Sequence, residues 1–281
     1  MDSRKYKTLT LGPNAIDALD LDGTIDMGDW GAAFFKYKFG MPEEKFHETV
    51  KKIRKNPVYR ENLLNQTGYN HGGYSPGDEL AVFCVLYGIE RKELIDFLSR
   101  YENGHRKGFD EYVLTPWDKV VVSSCVADLV RKRFEDVRRK TKGMSAGGIE
   151  LYAAELEVDD NGRYRRIIRG CGRDMKPKVV IPYKNRGIIA AGDGDNDMKL
   201  MEIADFGVSF GNPKMGDVVI PEDSTWYYFW VFAESLRGRS PEDIAKKFFE
   251  DGKVDIDLIT PRTELGENEL TKLKEIERIY C

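Results

Sequence analysis

The stretch Ala18-Leu19-Asp20-Leu21-Asp22-Gly23-Thr24 limits what this chain can fold into more than any other. Asn14 to Leu21 is short and mainly apolar, with Gly12-Pro13 before it and Gly23 after it. That pattern predicts a buried strand running into a tight turn. Side chains alternate faces along a strand, so Asp20 and Asp22 are expected to point the same way. Two carboxylates buried together repel, and keeping both ionised requires a cation or a shifted pKa. The carboxyl end of a strand is also where an open α/β sheet keeps its active site.

A chain of 281 residues has room for one large domain, or for a core domain with an insert. With 41% hydrophobic and 33% charged residues, it can build a real core and does not read as a membrane protein. No apolar run is long enough to cross a bilayer, and no signal-peptide pattern opens the chain. The net charge of −4 gives no general attraction to nucleic acid. The basic run Arg131 to Lys140 reads as the solvated face of a helix. Cys84, Cys125, Cys171 and Cys281 have neither metal-site nor disulfide-framework spacing, so a reducing cytoplasmic location is expected.

Residues 1–13 read as a polar lead-in to the first strand. Between Trp30 and Tyr112 helical patterns alternate with Gly, Pro and Asn. Trp30, Ala33, Phe34 and Tyr37 lie at helical spacing before Gly40, and Pro42 opens a helix with Phe46, Val50 and Ile53 on one face. Asn65 to Pro76 is a Gly- and Asn-rich break, followed by helices over Leu80–Tyr87 and Glu90–Tyr101. Asp118 to Ser124 predicts a second strand, with a helix from Val126 to about Lys140. Leu151 to Ile168 alternates around Asp160-Asn161-Gly162, a hairpin signal. Ile188 to Ala191 predicts a third buried strand running into Gly192-Asp193-Gly194-Asp195-Asn196-Asp197. A helix over Met198–Ala204 and strands Gly207–Phe210 and Val218–Ile220 follow. This alternation predicts a mostly parallel α/β sheet with helices on both faces. The expected division is a core of residues 1–29 and 113–222, a helical insert over 30–112, and a C-terminal helical extension over 223–281. The aromatic stripe Trp226 to Leu236 reads as packing.

Parallel strands would bring Asp20 and Asp22, Ser123, and Asp193 with Asp197 to one sheet edge. A carboxylate cluster there suits a hard cation with oxygen ligands, magnesium above all. Asp193, Asp195 and Asp197 also have the alternate spacing of a calcium loop. Met198 stands where that loop requires Gly and Ala204 where it requires Glu, so the calcium reading fails.

In order and type these segments resemble the haloacid dehalogenase superfamily of phosphohydrolases. That superfamily carries an Asp-x-Asp-Gly/Ser-Thr motif, a strand-end Ser or Thr, a Lys and a Gly-Asp-x-x-Asn-Asp motif. The phosphoserine phosphatase-like branch is the most similar, through the insert after the first strand and the hairpin Leu151–Val158 with Asp160-Asn161-Gly162. The resemblance implies a Rossmann-like core with a helical cap and a two-step phosphoryl transfer. Asp20 would be the nucleophile, giving an aspartyl-phosphate, and Asp22 the proton carrier. Magnesium would be held by Asp20, the Asp22 carbonyl and Asp193, with Asp197 fixing a metal water. Ser123, the Ser124 amide, Lys176 and Asn196 would contact phosphate or substrate.

For the lysine, Lys176 before Pro177 fits a helix start, with Lys178 as the second choice. Two departures from the family pattern stand out: a short interval from Lys176 to Gly192, and Pro182 within it. Asp29 lies where phosphoserine enzymes bind the substrate's amino group, and it equally suits a helix N-cap. Arg54 and Arg60 could meet a carboxylate; His47, His71 and His105 match no motif. The expected activity is magnesium-dependent hydrolysis of a small phosphorylated metabolite, without nucleic acid or membrane as partner. A phosphotransferase or mutase, and a non-catalytic phosphate-binding protein, are the alternatives. A dehalogenase would leave Asp22 and the metal-binding acids without a use.

Overall fold

A computed structural model of the chain describes residues 9–69, 75–101, 104–140 and 148–281. Part of the expected lead-in and part of the Asn65–Pro76 break therefore lie outside the described residues, as does His71. Eight strands form one sheet: β1 Ile16–Leu19, β2 Lys119–Val126, β3 Ile149–Val158, β4 Tyr164–Arg169, β5 Ile188–Gly192, β6 Phe206–Phe210, β7 Val218–Ile220 and β8 Thr260–Pro261. Their order is β4-β3-β2-β1-β5-β6-β7-β8. The run from β3 to β7 is parallel, and only the edge strands β4 and β8 are antiparallel to their neighbours. The sheet is thus the α/β, mostly parallel one that the strand–helix alternation predicts.

Strands buried on both faces should be apolar throughout, and β1, β2 and β5 are nearly so. Ile16, Ala18, Val120, Val122, Ile188 and Ala190 face one core, packed with Val180, Leu200 and Met201. Leu19, Val121, Ile189 and Ala191 face the other, larger one. Leu19 pairs with Val121 on one side and Ala191 on the other, and the Asp20 amide donates to the Ala191 carbonyl at 3.0 Å. That register sets Asp20 beside the turn that begins at Gly192. β1 ends at Leu19, four residues long, so strand alternation does not extend over Asp20 and Asp22 as the sequence suggested.

Between β1 and β2 come α1 Trp30–Phe39, α2 Glu43–Lys55, α3 Pro57–Thr67, α4 Glu79–Leu86, α5 Arg91–Arg100 and the single turn α6 Phe109–Tyr112. Phe46, Val50 and Ile53 are the buried face of α2, and Gly40 ends α1 in the left-handed conformation. α4 packs on β2, β3 and β4, and α5 on α7 Ala127–Lys140. Beyond the hairpin lie α8 Lys176–Val180 and α9 Met198–Ile203. Pro182 ends α8, and the chain continues as a 3-10 turn over Ile181–Arg186.

Residues after 223 supply more than helices. Besides α10 Tyr227–Leu236, α11 Pro241–Ile244 and α12 Glu264–Tyr280, they contribute β8 at the sheet edge. Every residue of α10 is buried, as a helix apolar on all sides must be. Phe232 meets Phe206, and Trp226 stacks on Phe210, so α10 covers the sheet directly.

Candidate active site

Asp20 leaves β1 into a turn that only glycine can complete. Gly23 has φ +82°, and a Cβ there would lie 2.2 Å from Asp193 Oδ2. Thr24 Oγ1 donates to Asp193 Oδ1 at 2.7 Å, tying this turn to the one after β5. The Asp193 and Gly194 amides both donate to Asp197 Oδ2 at 3.1 Å, which turns the other oxygen of Asp197 toward Lys176. Lys176, in the first turn of α8, is fully buried. Its Nζ donates to Asp20 Oδ1 at 2.6 Å and to Asp197 Oδ1 at 2.5 Å. Lys178 is exposed, its amine near the Met175 sulfur. Of the two lysines in this segment, the structure therefore brings Lys176 to the acids.

Oxygen atoms of Asp20, Asp193 and Asp197 all lie within 4.8 Å of one another. Three carboxylates around one ammonium leave surplus negative charge in a buried place. Burial, with Asp197 next and Lys176 opposing, pushes Asp20 up to about 7. Asp193 is raised well above the usual carboxylate range by burial and by Asp20 and Asp197. Burial works against the Lys176 ammonium, but Asp197 and Asp20 outweigh it and hold that amine above its ordinary value. An all-oxygen donor set with excess negative charge fits a hard divalent cation such as magnesium.

Above the cluster opens a cavity of about 810 Å³, with Asp22, Gly23, Asp193 and Asn196 at its floor and Asp29, Phe46, His47, Arg54, Glu79 and Leu80 on its wall. Asp22 Oδ1 accepts from the Trp30 amide at 2.8 Å, at the start of α1. Its carboxyl is pushed well up by burial and by Asp29, against that amide. Asp20 and Asp22 therefore sit in different environments: one under the floor on Lys176, the other on the floor against a helix end. The two serines also separate. Ser124 borders the cavity, and its Oγ accepts from Asn196 Nδ2 at 3.3 Å. Ser123 is completely buried, its Oγ accepting from the Cys125 amide at 3.0 Å. Asp29 is the N-cap of α1 and also borders the cavity. Its Oδ1 caps α1 on the Ala32 amide at 2.9 Å, while its Oδ2 faces His47 across 4.0 Å in the cavity wall.

Among solved structures, phosphoserine phosphatase from T. onnurineus aligns with a TM-score of 0.53 at 16% identity, over 85% of this chain and 99% of that one. A gene product of Archaeoglobus fulgidus aligns with a TM-score of 0.55 at 15% identity, over 95% of this chain and 96% of that one. The chain has the haloacid dehalogenase fold. A HAD family hydrolase from Salmonella enterica serovar Typhi aligns at a TM-score of 0.45 and 15% identity over 73% of this chain, which spans 64% of that protein's length. No family model and no curated protein matches the sequence. Within this haloacid dehalogenase fold, no helix among the described residues is long and apolar enough to cross a membrane.

Three contributors to the site escaped sequence reasoning. Arg106 is buried over the Phe210 ring, and its guanidinium donates to the carbonyls of Thr24 and Gly23 at 2.6 Å, to Ser224 at 2.9 Å, and to Glu222. It thereby fixes the turn that carries Asp20 and Asp22 to the loop at Glu222, which lies 116 residues beyond Arg106 itself. Glu79, buried, accepts from Arg54 Nε at 2.9 Å and from the Gly77 amide at 2.8 Å. Asp78 accepts from the Cys171 amide and the Tyr69 hydroxyl, both at 2.8 Å, and Asp174 N donates to Ser75 Oγ at 2.8 Å. These contacts join the loop before α4 to the turn before Lys176. They also bring Gly77, at φ +112°, so close to Ser124 that a Cβ would lie 2.8 Å from it. Only Gly77, directly after the Gly- and Asn-rich break, lay near any local signal.

Proposed function

We propose that the protein is a magnesium-dependent phosphatase that hydrolyses a small phosphate monoester through an aspartyl-phosphate. The observation that carries this reading is Lys176, buried and bridging Asp20 and Asp197 with Asp193 beside them at the carboxyl edge of the parallel sheet. Asp20, Asp193 and the Asp22 carbonyl would hold the ion, with Asp197 behind it. When bound, magnesium supplies positive charge that lets a phosphate dianion approach a carboxylate.

The remaining chemistry belongs to the chain. Lys176 orients Asp20 for attack on phosphorus, so the Asp20–phosphorus bond forms as the ester oxygen leaves. Asp22, whose raised pKa favours its protonated form, gives that oxygen a proton. Deprotonated, it then takes a proton from the water that attacks the aspartyl-phosphate, releasing phosphate and restoring Asp20. The Ser124 hydroxyl, held by Asn196, is suited to donate to a phosphate oxygen, as is the amide beneath it. Losing one such oriented donor costs about 2.7–4 kcal/mol of barrier. The helices over 30–112 would act as a cap that selects the substrate and excludes water. The C-terminal residues 223–281 would serve as structural support for the core.

The deciding experiment is release of phosphate from an aryl phosphate with magnesium present. Activity should vanish with chelator and fall at least about a thousandfold in Asp20→Asn, the scale at which a nucleophile is lost. Activity that survives either treatment overturns the reading.

A further inference from the structure

If the phosphatase reading holds, Lys176 works only with its ammonium held between Asp20 and Asp197. The helix that carries it, α8, has five residues, too few to fix that position alone. What fixes it is the turn before the helix. The Met175 and Lys176 amides both donate to the Gly172 carbonyl, at 2.9 and 3.2 Å, so the Lys176 backbone hangs from Gly172. All four amides from Cys171 to Asp174 donate to one segment between β1 and β2, Ser75 to Asp78. Asp78 Oδ1 receives the Cys171 amide at 2.8 Å, and the same carboxylate receives the Gly172 amide. The Pro76 carbonyl receives the Arg173 amide at 2.7 Å, and Ser75 Oγ the Asp174 amide at 2.8 Å. The fit leaves no room for side chains on the turn. A Cβ on Gly170 would lie 2.4 Å from Asp78 Oδ2, and one on Gly172 2.5 Å from the Pro76 carbonyl oxygen. Ser75 and Asp78 are themselves buried, and the Tyr69 hydroxyl holds the second Asp78 oxygen at 2.8 Å. Gly77 of the same segment meets Ser124, so one loop reaches both the turn before the lysine and the serine at the cavity.

We infer that Asp78, with Ser75 beside it, is a positioning residue for Lys176, acting through the turn Cys171–Asp174. The inference rests on the phosphatase reading and adds to it a residue outside the acid cluster, 93 positions before the amide it holds. Without the Asp78 carboxylate two buried amides lose their acceptor, and the turn must shift or admit water to satisfy them. Either change moves Gly172 and, through it, Lys176. A misplacement of about 1 Å in a group that orients the reacting atoms costs up to about a hundredfold in rate. The groups around the cavity stay in place, so the loss falls on kcat rather than on KM.

The test measures kcat and KM of the full chain for an aryl phosphate with magnesium, in a double-mutant cycle with Lys176→Met. Asp78→Ala should lower kcat about tenfold or more, with KM changed less than about threefold. In the Lys176→Met background the same substitution should change kcat less than about twofold, because the lysine it positions is gone. An unaltered kcat in Asp78→Ala overturns the inference. So does an equal fall in both backgrounds, which is what a purely structural role would give. Asp78→Asn keeps a carbonyl oxygen for the two amides and should retain about three times the kcat of Asp78→Ala or more. Equal losses in these two variants also overturn the inference, and this comparison decides if Lys176→Met is too slow to measure. Should Asp78→Ala fail to fold, Ser75→Ala, which frees only the Asp174 amide, takes its place in the cycle. Its kcat should fall about threefold, and the fall should again vanish without Lys176. The phosphatase reading survives each of these failures. If the wild type releases no phosphate, that reading falls first and takes this one with it.

Discussion

Two buried charged clusters sit three residues apart, one on β1 and one just past its end, and they are built on opposite principles. At Asp17 the acid is outnumbered by cations. Arg237 Nη2 donates to Asp17 Oδ1 at 2.8 Å and to the Ala15 carbonyl at 2.9 Å, and the Tyr112 hydroxyl bonds the other carboxylate oxygen. Lys119, the β2 partner of Asp17, sends its amine to the carbonyls of Trp117 and Thr115 at 2.8 and 3.1 Å, and burial lowers it to about 8. The Arg237 guanidinium also lies 4.2 Å from the Trp117 ring centre. At Asp20 the balance is reversed, with three carboxylates around Lys176. The first cluster ties α10 to β1 with partners the chain itself provides. The second is left short of positive charge. A buried ion pair that the fold completes reads as architecture, whereas one left incomplete points to what the fold is meant to bind.

The largest expected effect separates the two acids by stability. Asp17→Asn leaves Arg237 buried without its counter-charge and should cost about 3–5 kcal/mol. For a chain of this size that lowers Tm by roughly 10 °C, at about 2–4 °C per kcal/mol. Asp20→Asn removes one of three repelling acids, so Tm should stay the same or rise while phosphatase activity is lost. Thermal melts of the two variants without magnesium check this; an equal fall in both would mean that the clusters do not differ in kind.

Magnesium sharpens the comparison with a smaller effect. A ligand that binds only the folded state at a hundred times its Kd adds about 2.7 kcal/mol. Wild-type Tm should rise accordingly when magnesium is added, and the rise should persist in a melting curve of Asp17→Asn. It should shrink sharply in Asp193→Asn. A magnesium response unchanged in Asp193→Asn would move the cation away from the acid trio.

The same contrast explains what the sequence disclosed. The acid-rich end was legible because its parts are local: a short apolar strand, a glycine turn, and carboxylates at fixed spacing after Leu19 and after Ala191. Lys176 was legible because proline follows it, which marks a helix start. α3 also had a local signal, Asn56 capping and Pro57 at the first position, within a stretch that gave no periodicity to read. The balanced cluster was not legible. Asp17 and Arg237 are 220 residues apart, and Arg106 reaches Thr24 across 82, so no window contains both partners. The same holds for Asp78 with Cys171. Sequence pattern states what each strand end offers; which distant side chain neutralises it follows only from the packed fold. Ser123 and Ser124 mark a finer limit, because the register shift of β2 against β3 between Val122 and Val126 decides which of them borders the cavity.

Asp78 offers a third arrangement and the smallest expected effect. It is fully buried like Asp17 and Asp20, yet its hydrogen-bond partners among the described residues are dipoles, the Tyr69 hydroxyl and the Cys171 and Gly172 amides. Burial pushes its carboxyl up to about 7, with the Cys171 amide opposing. A folded-state value above the unfolded one near 3.9 means that the native protein binds more protons than the unfolded chain between those limits. Its contribution to stability is therefore complete below about pH 4 and is lost as the pH rises toward 7. Asp78→Asn removes that proton linkage while keeping the size of the side chain. Stability measured from pH 4 to 7 should then decline less steeply in the variant than in wild type, by a difference of about 1 kcal/mol or more across the window. The variant should also be less stable at low pH, where an amide replaces the protonated acid beside the Cys171 amide. Parallel curves would mean that Asp78 stays ionised, held by dipoles as firmly as Asp17 is held by arginine.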